Sequence, residues 1–288
     1  PLSPAQIALV REWIDSGAKW PENATDRAAL TDKRLQHWSV QPIRNDFPSD
    51  ADIDSFIEAK LRENKLTPSP EADVRTLSRR LHFDLLGLPP PSDNQTWGHS
   101  DKEPREAPVS LSPYEALVDS LLASPHFGER QARHWLDIVH YADTHGFERD
   151  QLRPNAWRYR DYVIDSFNAD KPYDQFIREQ LAGDLLPNPN IAALGFLSAG
   201  PFDFVGQVET KSPMLNRAAR ALDLDDMVTQ TLTATMGITI NCARCHDHKL
   251  DPITQEEYYR LWAVFAGVKR GDRELDPAES KRLADEKA

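Results

Sequence analysis

Residues 112–122, SPYEALVDSLL, show the kind of pattern that recurs along much of this chain. Ser112 and Glu115 have the spacing of a capping box, in which the two side chains accept backbone N–H groups at the start of a helix. Leu117, Val118 and Leu121 follow at the three- and four-residue spacing of one helix face. The stretch therefore predicts an amphipathic helix.

Similar signals predict helices on both sides of it. Ser3 with Gln6 and Thr254 with Glu257 have the same capping-box spacing. The predicted helices cover about residues 3–17, 53–68, 74–86, 127–141, 156–167, 172–185, 223–236 and 255–265. Strand signals are confined to residues 195–204 and 238–240, which are equally compatible with extended loops. We therefore predict a mainly α fold.

Composition excludes several classes of protein. The chain has 22 Pro and 12 Gly, which predicts an irregular helical fold with long Pro-rich loops. It has 34 Lys and Arg against 46 Asp and Glu, and this net charge of −12 argues against a nucleic-acid partner. The longest apolar stretch, residues 191–202, is interrupted and too short for a transmembrane segment.

The most specific feature is the sequence Cys242-Ala243-Arg244-Cys245-His246, which has the C-x-x-C-H spacing of covalent haem attachment. Two thiols one turn apart can add to the two vinyl groups of haem, and the adjacent histidine then becomes the proximal iron ligand. Three alternatives remain open: a thioredoxin-like redox pair, half of a zinc site and a structural cysteine pair. The redox pair lacks its βαβ context, whereas the nearby His248 keeps the zinc site in consideration.

Residues 242–253, CARCHDHKLDPI, resemble the signature of the planctomycete cytochrome-c-associated family of large secreted proteins, a domain of unknown function. Other stretches resemble that family too, namely ARHWLD (132–137), YADTHG (141–146), AWRYRD (156–161) and EQLAGDLLP (179–187). The resemblance extends from about His37 to Val268 and implies haem c and a redox role. His140 departs from it, since the family pattern suggests arginine there.

The resemblance also suggests a domain organisation. Residues 1–21 resemble the C-terminal helix of a preceding cytochrome c domain, and residues 22–50 are expected to be a linker. Residues 51–268 would form the haem c-bearing helical domain, with a polar insertion at about 92–110. Residues 269–288 would be a charged tail or the start of a further segment.

A haem iron bound at this motif would need axial ligands, for which the sequence offers several candidate residues. His246 would be the proximal ligand, and His145 is the preferred candidate for a distal ligand or an acid–base catalyst, with a helix-capping role as the alternative. The remaining distal candidates are His82, His126, His134, His140, His248, Met214, Met227 and Met236. Met236 shares an i, i+4 stripe with Leu224, Val228 and Leu232, which favours packing in the core instead.

Two kinds of charged group are candidates for cofactor contacts. Arg158, Arg160 and Lys249 could neutralise haem propionates, although the arginines could equally pair with carboxylates of their own helix. Calcium is a second candidate cofactor, with Asp143, Asp150, Asp247 and Asp251 as its oxygen ligands.

The leading functional hypothesis is an extracytoplasmic c-type haem protein, periplasmic or secreted, that transfers electrons within a larger multidomain protein. Its partner would be the adjacent cytochrome c domain or another redox protein. One alternative is a haem-dependent oxidoreductase, peroxidase-like or oxidative, with an open distal site and a glycan substrate suggested by the family's secreted character. The other is a zinc-binding or structural interaction module.

Overall fold

The computed structural model describes residues 3–16, 35–44, 46–48, 51–91, 113–271, 273, 282 and 285. The mainly α prediction is confirmed, because β-pairing within these residues is confined to one isolated bridge between Thr144 and Leu152. The α-helices are α1 (Pro4–Asp15), α2 (Ile53–Glu63), α3 (Val74–Leu85), α4 (Pro113–Leu122), α5 (Pro125–Ile138), α6 (Ala156–Asn168), α7 (Tyr173–Ala182), α8 (Pro213–Met236) and α9 (Gln255–Phe265). No described helix combines the length and apolar character needed to cross a membrane.

Helix starts agree well with the capping signals. Ser3 and Gln6 form both bonds of a capping box at α1, and Thr254 and Glu257 do so at α9. Ser112 lies outside the described residues, so its predicted cap at α4 is not seen. The predicted insertion at 92–110 and most of the predicted tail at 269–288 also lie outside them.

Helix α8 is ten residues longer at its start than the sequence predicted. Ser212 caps it by accepting the backbone N–H of Leu215, and Pro213 occupies its first turn. It ends at Gly237, which adopts the left-handed conformation with φ of 66° that favours glycine. This long helix contributes Leu224, Met227 and Val228 to one core cluster, and Ala234 packs against another.

Neither strand candidate forms a strand. Residues 195–204 contribute to a 3₁₀ helix at Ala192–Ser198, and the 238–240 run leads into another at Ile240–Arg244. In both segments the buried residues are three apart, Ala193 with Phe196 and Ile240 with Ala243. That period matches a 3₁₀ helix, whereas a strand would bury alternate residues.

The first core cluster joins α5, α6, α7 and the Ala192–Ser198 segment. Its centre is a buried polar group, because the Gln180 side-chain oxygen accepts hydrogen bonds from both Trp135 Nε1 (2.9 Å) and the Tyr159 hydroxyl (2.7 Å). Phe176 packs edge-on against Trp135. These bonds allow three polar side chains to lie inside an aromatic core without unpaired donors.

The second core cluster joins α8, the Ile240–Arg244 segment and α9. Leu224, Met227 and Val228 of α8 meet Ile240 and Tyr258 there. This cluster positions the cysteine motif, because the motif's own 3₁₀ helix forms one of its walls.

Candidate functional site

The first cysteine of the motif lies within the 3₁₀ helix Ile240–Arg244, and Cys245 directly follows its end. In such a helix residues three apart eclipse each other, so Ile240 and Ala243 share one face. Cys245 keeps a right-handed helical backbone at the C-cap, so the same spacing places it on the side of Cys242. Ile240 and Ala243 are fully buried, whereas both cysteines are exposed and free. The core therefore fixes the face on which the thiols are presented to solvent.

His246 completes the motif with a defined tautomer. Its Nδ1 lies 2.7 Å from the backbone oxygen of Asp247. Because a carbonyl can only accept, Nδ1 carries the proton and Nε2 keeps its lone pair. The ring is exposed, and this arrangement is the one that metal-binding histidines commonly use.

Arg244 anchors the motif to α8. It donates to Asp225 Oδ2 at 2.9 Å, and the Tyr258 hydroxyl donates to the other oxygen of Asp225. Burial, reinforced by Asp225, raises the pKa of Tyr258 well above its usual range. The backbone oxygen of Arg244 accepts from Gln255 Nε2, so both ends of this residue are held.

The loop after the motif is organised by two further residues. Asp247 Oδ1 accepts the backbone N–H of Gln255 at the start of α9. His248 is buried, and its Nδ1 accepts the backbone N–H groups of Leu250 and Asp251. With Nδ1 used as an acceptor, the proton of neutral His248 is on Nε2, and the side chain serves as a loop-forming group.

This donor set fits haem c better than zinc. Two exposed thiols on one face, followed by an imidazole with a free Nε2, are the groups that covalent haem attachment requires. A structural zinc site needs four ligands, and the described residues contain no group of three or more His, Cys, Asp or Glu able to hold a metal.

Lys249 is exposed beside the motif and forms no hydrogen bond or ion pair within the described residues, so its side chain is available for a propionate. Arg158 and Arg160 lie on α6, which packs against α5 and the Ala192–Ser198 segment. Arg158 lies over the Trp157 ring and Arg160 pairs with Asp161. The structure therefore does not bring these arginines together with the cysteine motif, and their propionate role stays a prediction.

His145 lies in the loop between α5 and α6, with its ring between Phe202 and Phe204. Its buried Nδ1 has no hydrogen-bond partner in the described structure. Burial lowers the pKa of His145, and the nearby charges of Arg153 and Arg270 lower it further, which favours the neutral imidazole. This state is compatible with a ligand or base, and the backbone of His145 is fixed by bonds to Gln151 and Phe202.

The other distal candidates have diverse environments. Met227 is buried in the second core cluster, whereas Met236 is 64% exposed and does not pack in the core as its stripe predicted. An i, i+4 stripe rotates by about 40° per step, so three steps after Leu224 the side chain has turned about 120° off the buried face. Among the rest, Met214 and His134 are exposed, His82 bonds to the Ser78 oxygen, and His126 pairs with Glu129.

The calcium candidates are engaged separately. Asp143 accepts from the Tyr141 hydroxyl, Asp150 from the backbone of Gly146, and Asp247 from Gln255. Asp251 lies 3.5 Å from His248 Nδ1. Within the described ranges the structure does not gather them around one point, and calcium stays a prediction.

A cleft of about 330 Å³ lies between α8, Phe147, residues 201–207 and Asn241. We call it the α8 cleft; Phe147, Asp203, Gln207, Leu222, Asp226 and Asn241 are among its lining residues. Asn241 directly precedes Cys242, and Phe147 lies two residues after His145. The cleft is thus lined by close sequence neighbours of His145 and of the cysteine motif, whereas His145 and the motif residues themselves are not in its lining.

Sequence reasoning missed Asp226, which links this cleft to His140. His140 has a left-handed backbone with φ of 57°, is 47% exposed, and bonds through Nδ1 to Asp226 Oδ1 at 3.1 Å. The second oxygen of Asp226 is buried without a partner, and burial raises the pKa of this carboxyl group. An unpaired buried polar atom costs about 1–3 kcal/mol, so such a group calls for an explanation.

The family model for PSCyt2, a protein of unknown function (DUF1549), matches residues 52–270, and the chain belongs to this family. The resemblance to a family of unknown function is therefore confirmed, although the match begins later than the predicted His37. No curated protein and no solved structure matches the chain.

Proposed function

We propose that the chain is an extracytoplasmic c-type haem protein whose redox role is electron transfer within a larger multidomain protein. One observation carries the proposal: Cys242 in a 3₁₀ helix and Cys245 at its C-cap are both exposed and free, next to an exposed His246 whose Nδ1 donates to a backbone oxygen and leaves Nε2 as the acceptor. Burial of Ile240 and Ala243 holds this segment so that both cysteines stay exposed.

Each residue of the motif has a distinct task in this proposal. Cys242 and Cys245 would hold the haem through thioether bonds, and His246 would bind iron through Nε2. Asp247 fixes the imidazole ring through its backbone oxygen, and Arg244 keeps the helix against α8 through Asp225. When bound, haem c supplies one-electron redox chemistry at its iron.

Two features of the motif support electron transfer over a purely structural role. The thiols are exposed, so a redox partner such as an adjacent cytochrome c domain can approach the edge of the attached group. The charged Lys249 lies beside them and offers a contact for a propionate. A periplasmic or secreted location belongs to the same proposal, because thiols and haem are joined outside the cytoplasm.

The α8 cleft supports a second candidate, a haem-dependent oxidoreductase. Its wall includes Asn241, the residue before Cys242, so a small molecule in the cleft would lie beside the attachment site. His145 would then serve acid–base chemistry from the adjoining loop, where its neutral form is favoured. A glycan is the substrate class suggested for this candidate.

The test is the visible absorption spectrum of the natively matured chain, oxidised, reduced, and reduced under carbon monoxide. Electron transfer predicts low-spin haem bands that carbon monoxide leaves unchanged, whereas a haem enzyme predicts an open iron whose bands shift. The Cys242→Ser/Cys245→Ser variant should lose the covalent bands, and His37→Ala, which removes an exposed histidine that is not a candidate ligand, should keep them. A matured chain without haem bands, or one that carries zinc instead, would overturn the proposal.

A further inference from the structure

We propose that the α8 cleft is a binding site for a neutral, polyhydroxylated small molecule about the size of one sugar ring. The volume of about 330 Å³ is at the lower end of the range for small-molecule pockets. Binding rests on the lining of the cleft alone. Only its use as a substrate site rests on the second candidate function above.

The charges around the cleft exclude an anionic ligand. Its lining includes four aspartates and no Lys, Arg or His. Two of them are already neutralised, because Asp223 pairs with Arg220 and Arg270 and Asp225 pairs with Arg244. A phosphate or carboxylate would meet the carboxyl groups of Asp203 and Asp226 with no cationic side chain in the lining to offset them, whereas ligand hydroxyl groups can donate to both.

Unpartnered polar atoms are concentrated around the cleft. Gln207 Nε2, Asp226 Oδ2 and Thr229 Oγ1 belong to lining residues, and none has a hydrogen-bond partner in the described structure. The nearby Gln230 is 1% exposed and also leaves its Oε1 unpaired. This set contains a donor, acceptors and a hydroxyl, which is the mixture that a ligand with several hydroxyl groups can satisfy after small side-chain rotations.

The remaining walls are apolar and suit the C–H faces of a ring. Phe147 is 52% exposed at the cleft, and Leu222 and Ala219 lie on the α8 side. Apolar contact over the ring with a few placed polar groups is the usual composition of a small-molecule site. A metal ion fits poorly, because apolar groups occupy much of the wall and Asp223 and Asp225 already pair with arginines.

The test is saturation-transfer NMR and calorimetry on the full chain with glucose and myo-inositol as neutral probes and glucuronate and glucosamine as charged ones. We expect a neutral probe to bind and glucuronate to fail. Phe147→Ala and Asp203→Asn should each weaken binding by at least about tenfold, since each removes one type of contact. Leu250→Ala, an exposed position outside the cleft, should leave the affinity unchanged.

Two results would overturn the proposal: failure of both neutral probes to bind, or binding that Phe147→Ala and Asp203→Asn do not change. Preferential binding of glucosamine would replace it with a cationic ligand. The Cys242→Ser/Cys245→Ser variant separates this proposal from the haem proposal, because it should keep neutral-probe binding. If this variant loses haem and still binds the neutral probes, both proposals stand. If a haem-loaded chain fails to bind the neutral probes, only the cleft proposal is contradicted.

Discussion

Asp226→Asn should stabilise the protein, although most substitutions of a partly buried carboxylate destabilise. A Cβ built on Gly200 would lie 2.0 Å from Asp226 Oδ2 and 3.6 Å from Gln230 Oε1, so two acceptors without a donor face the same small space. The Gln230 orientation is fixed because its Nε2 donates to the Phe196 oxygen. Asparagine can place an N–H group at the Oδ2 position and still accept from His140.

One new buried hydrogen bond contributes about 0.5–1.5 kcal/mol. In a domain of this size a gain of 1 kcal/mol raises the melting temperature by roughly 2–4 °C. Urea denaturation and thermal unfolding at pH 7 measure both quantities. The same variant should bind the neutral probes more weakly, as expected when a group is retained for function at a cost in stability.

The pH dependence of this gain has a definite sign. Burial raises the pKa of Asp226 in the native state, against the opposing effects of His140 and Arg270. A raised native pKa contributes stability that is present below the unfolded-state pKa of about 3.9 and is lost as pH rises through the native value. The advantage of the Asp226→Asn variant over the wild type should therefore be largest at neutral pH and shrink toward about pH 4.

Asp223→Asn is the matched control, because the same change is made three residues earlier on α8. Asp223 is buried and accepts from Arg220 and Arg270, so its neutralisation should destabilise by about 3–5 kcal/mol. A destabilising Asp226→Asn of similar size would refute the reasoning, since it would show that the carboxylate is paired. An advantage that grows on acidification would refute the pKa argument alone.

Three further predictions concern the packing of the two clusters. Gly195→Ala should destabilise the protein by about 1–3 kcal/mol in urea denaturation, because the added Cβ would lie 2.4 Å from the Tyr159 Cβ. Gly271→Ala, where the added Cβ meets open space, should leave the stability unchanged. Gln180→Leu should cost about 1–3 kcal/mol by leaving the Tyr159 hydroxyl without an acceptor, and less in a Tyr159→Phe/Trp135→Phe background, which removes both side chains that donate to Gln180. An equal cost in both backgrounds would contradict the network. Burial raises the pKa of Tyr258, so the stability of the protein should fall as pH rises above about 10. Tyr258→Phe should reduce that fall in alkaline unfolding followed by tyrosine absorbance. An unchanged fall would count against the raised pKa.

Local signals in the sequence were reliable where the interaction itself is local. The capping boxes at Ser3 and Thr254 involve residues three apart, and both form as predicted. The sequence prediction missed the start of α8. Its only signal is the cap at Ser212, which is weaker than the apolar run from which the helix was predicted to begin at residue 223. Met236 was misplaced because a strict four-residue spacing drifts around a helix.

The candidate site was partly visible in the sequence. The spacing of Cys242, Cys245 and His246 identified the motif, but the tautomer of His246 depends on the backbone position of Asp247. The His140–Asp226 pair joins residues 86 apart, and only packing of α5 against α8 brings them together. A contact between residues so far apart in the chain produces no periodicity or spacing that can be recognised in the sequence.

Mass spectrometry of the natively matured chain tests haem attachment most directly. After proteolysis, the peptide that contains Cys242 and Cys245 should carry the mass of one haem, linked through both thiols. The same peptide from the Cys242→Ser/Cys245→Ser variant should carry none. A wild-type peptide from a haem-competent host with two unmodified thiols would contradict the proposed function.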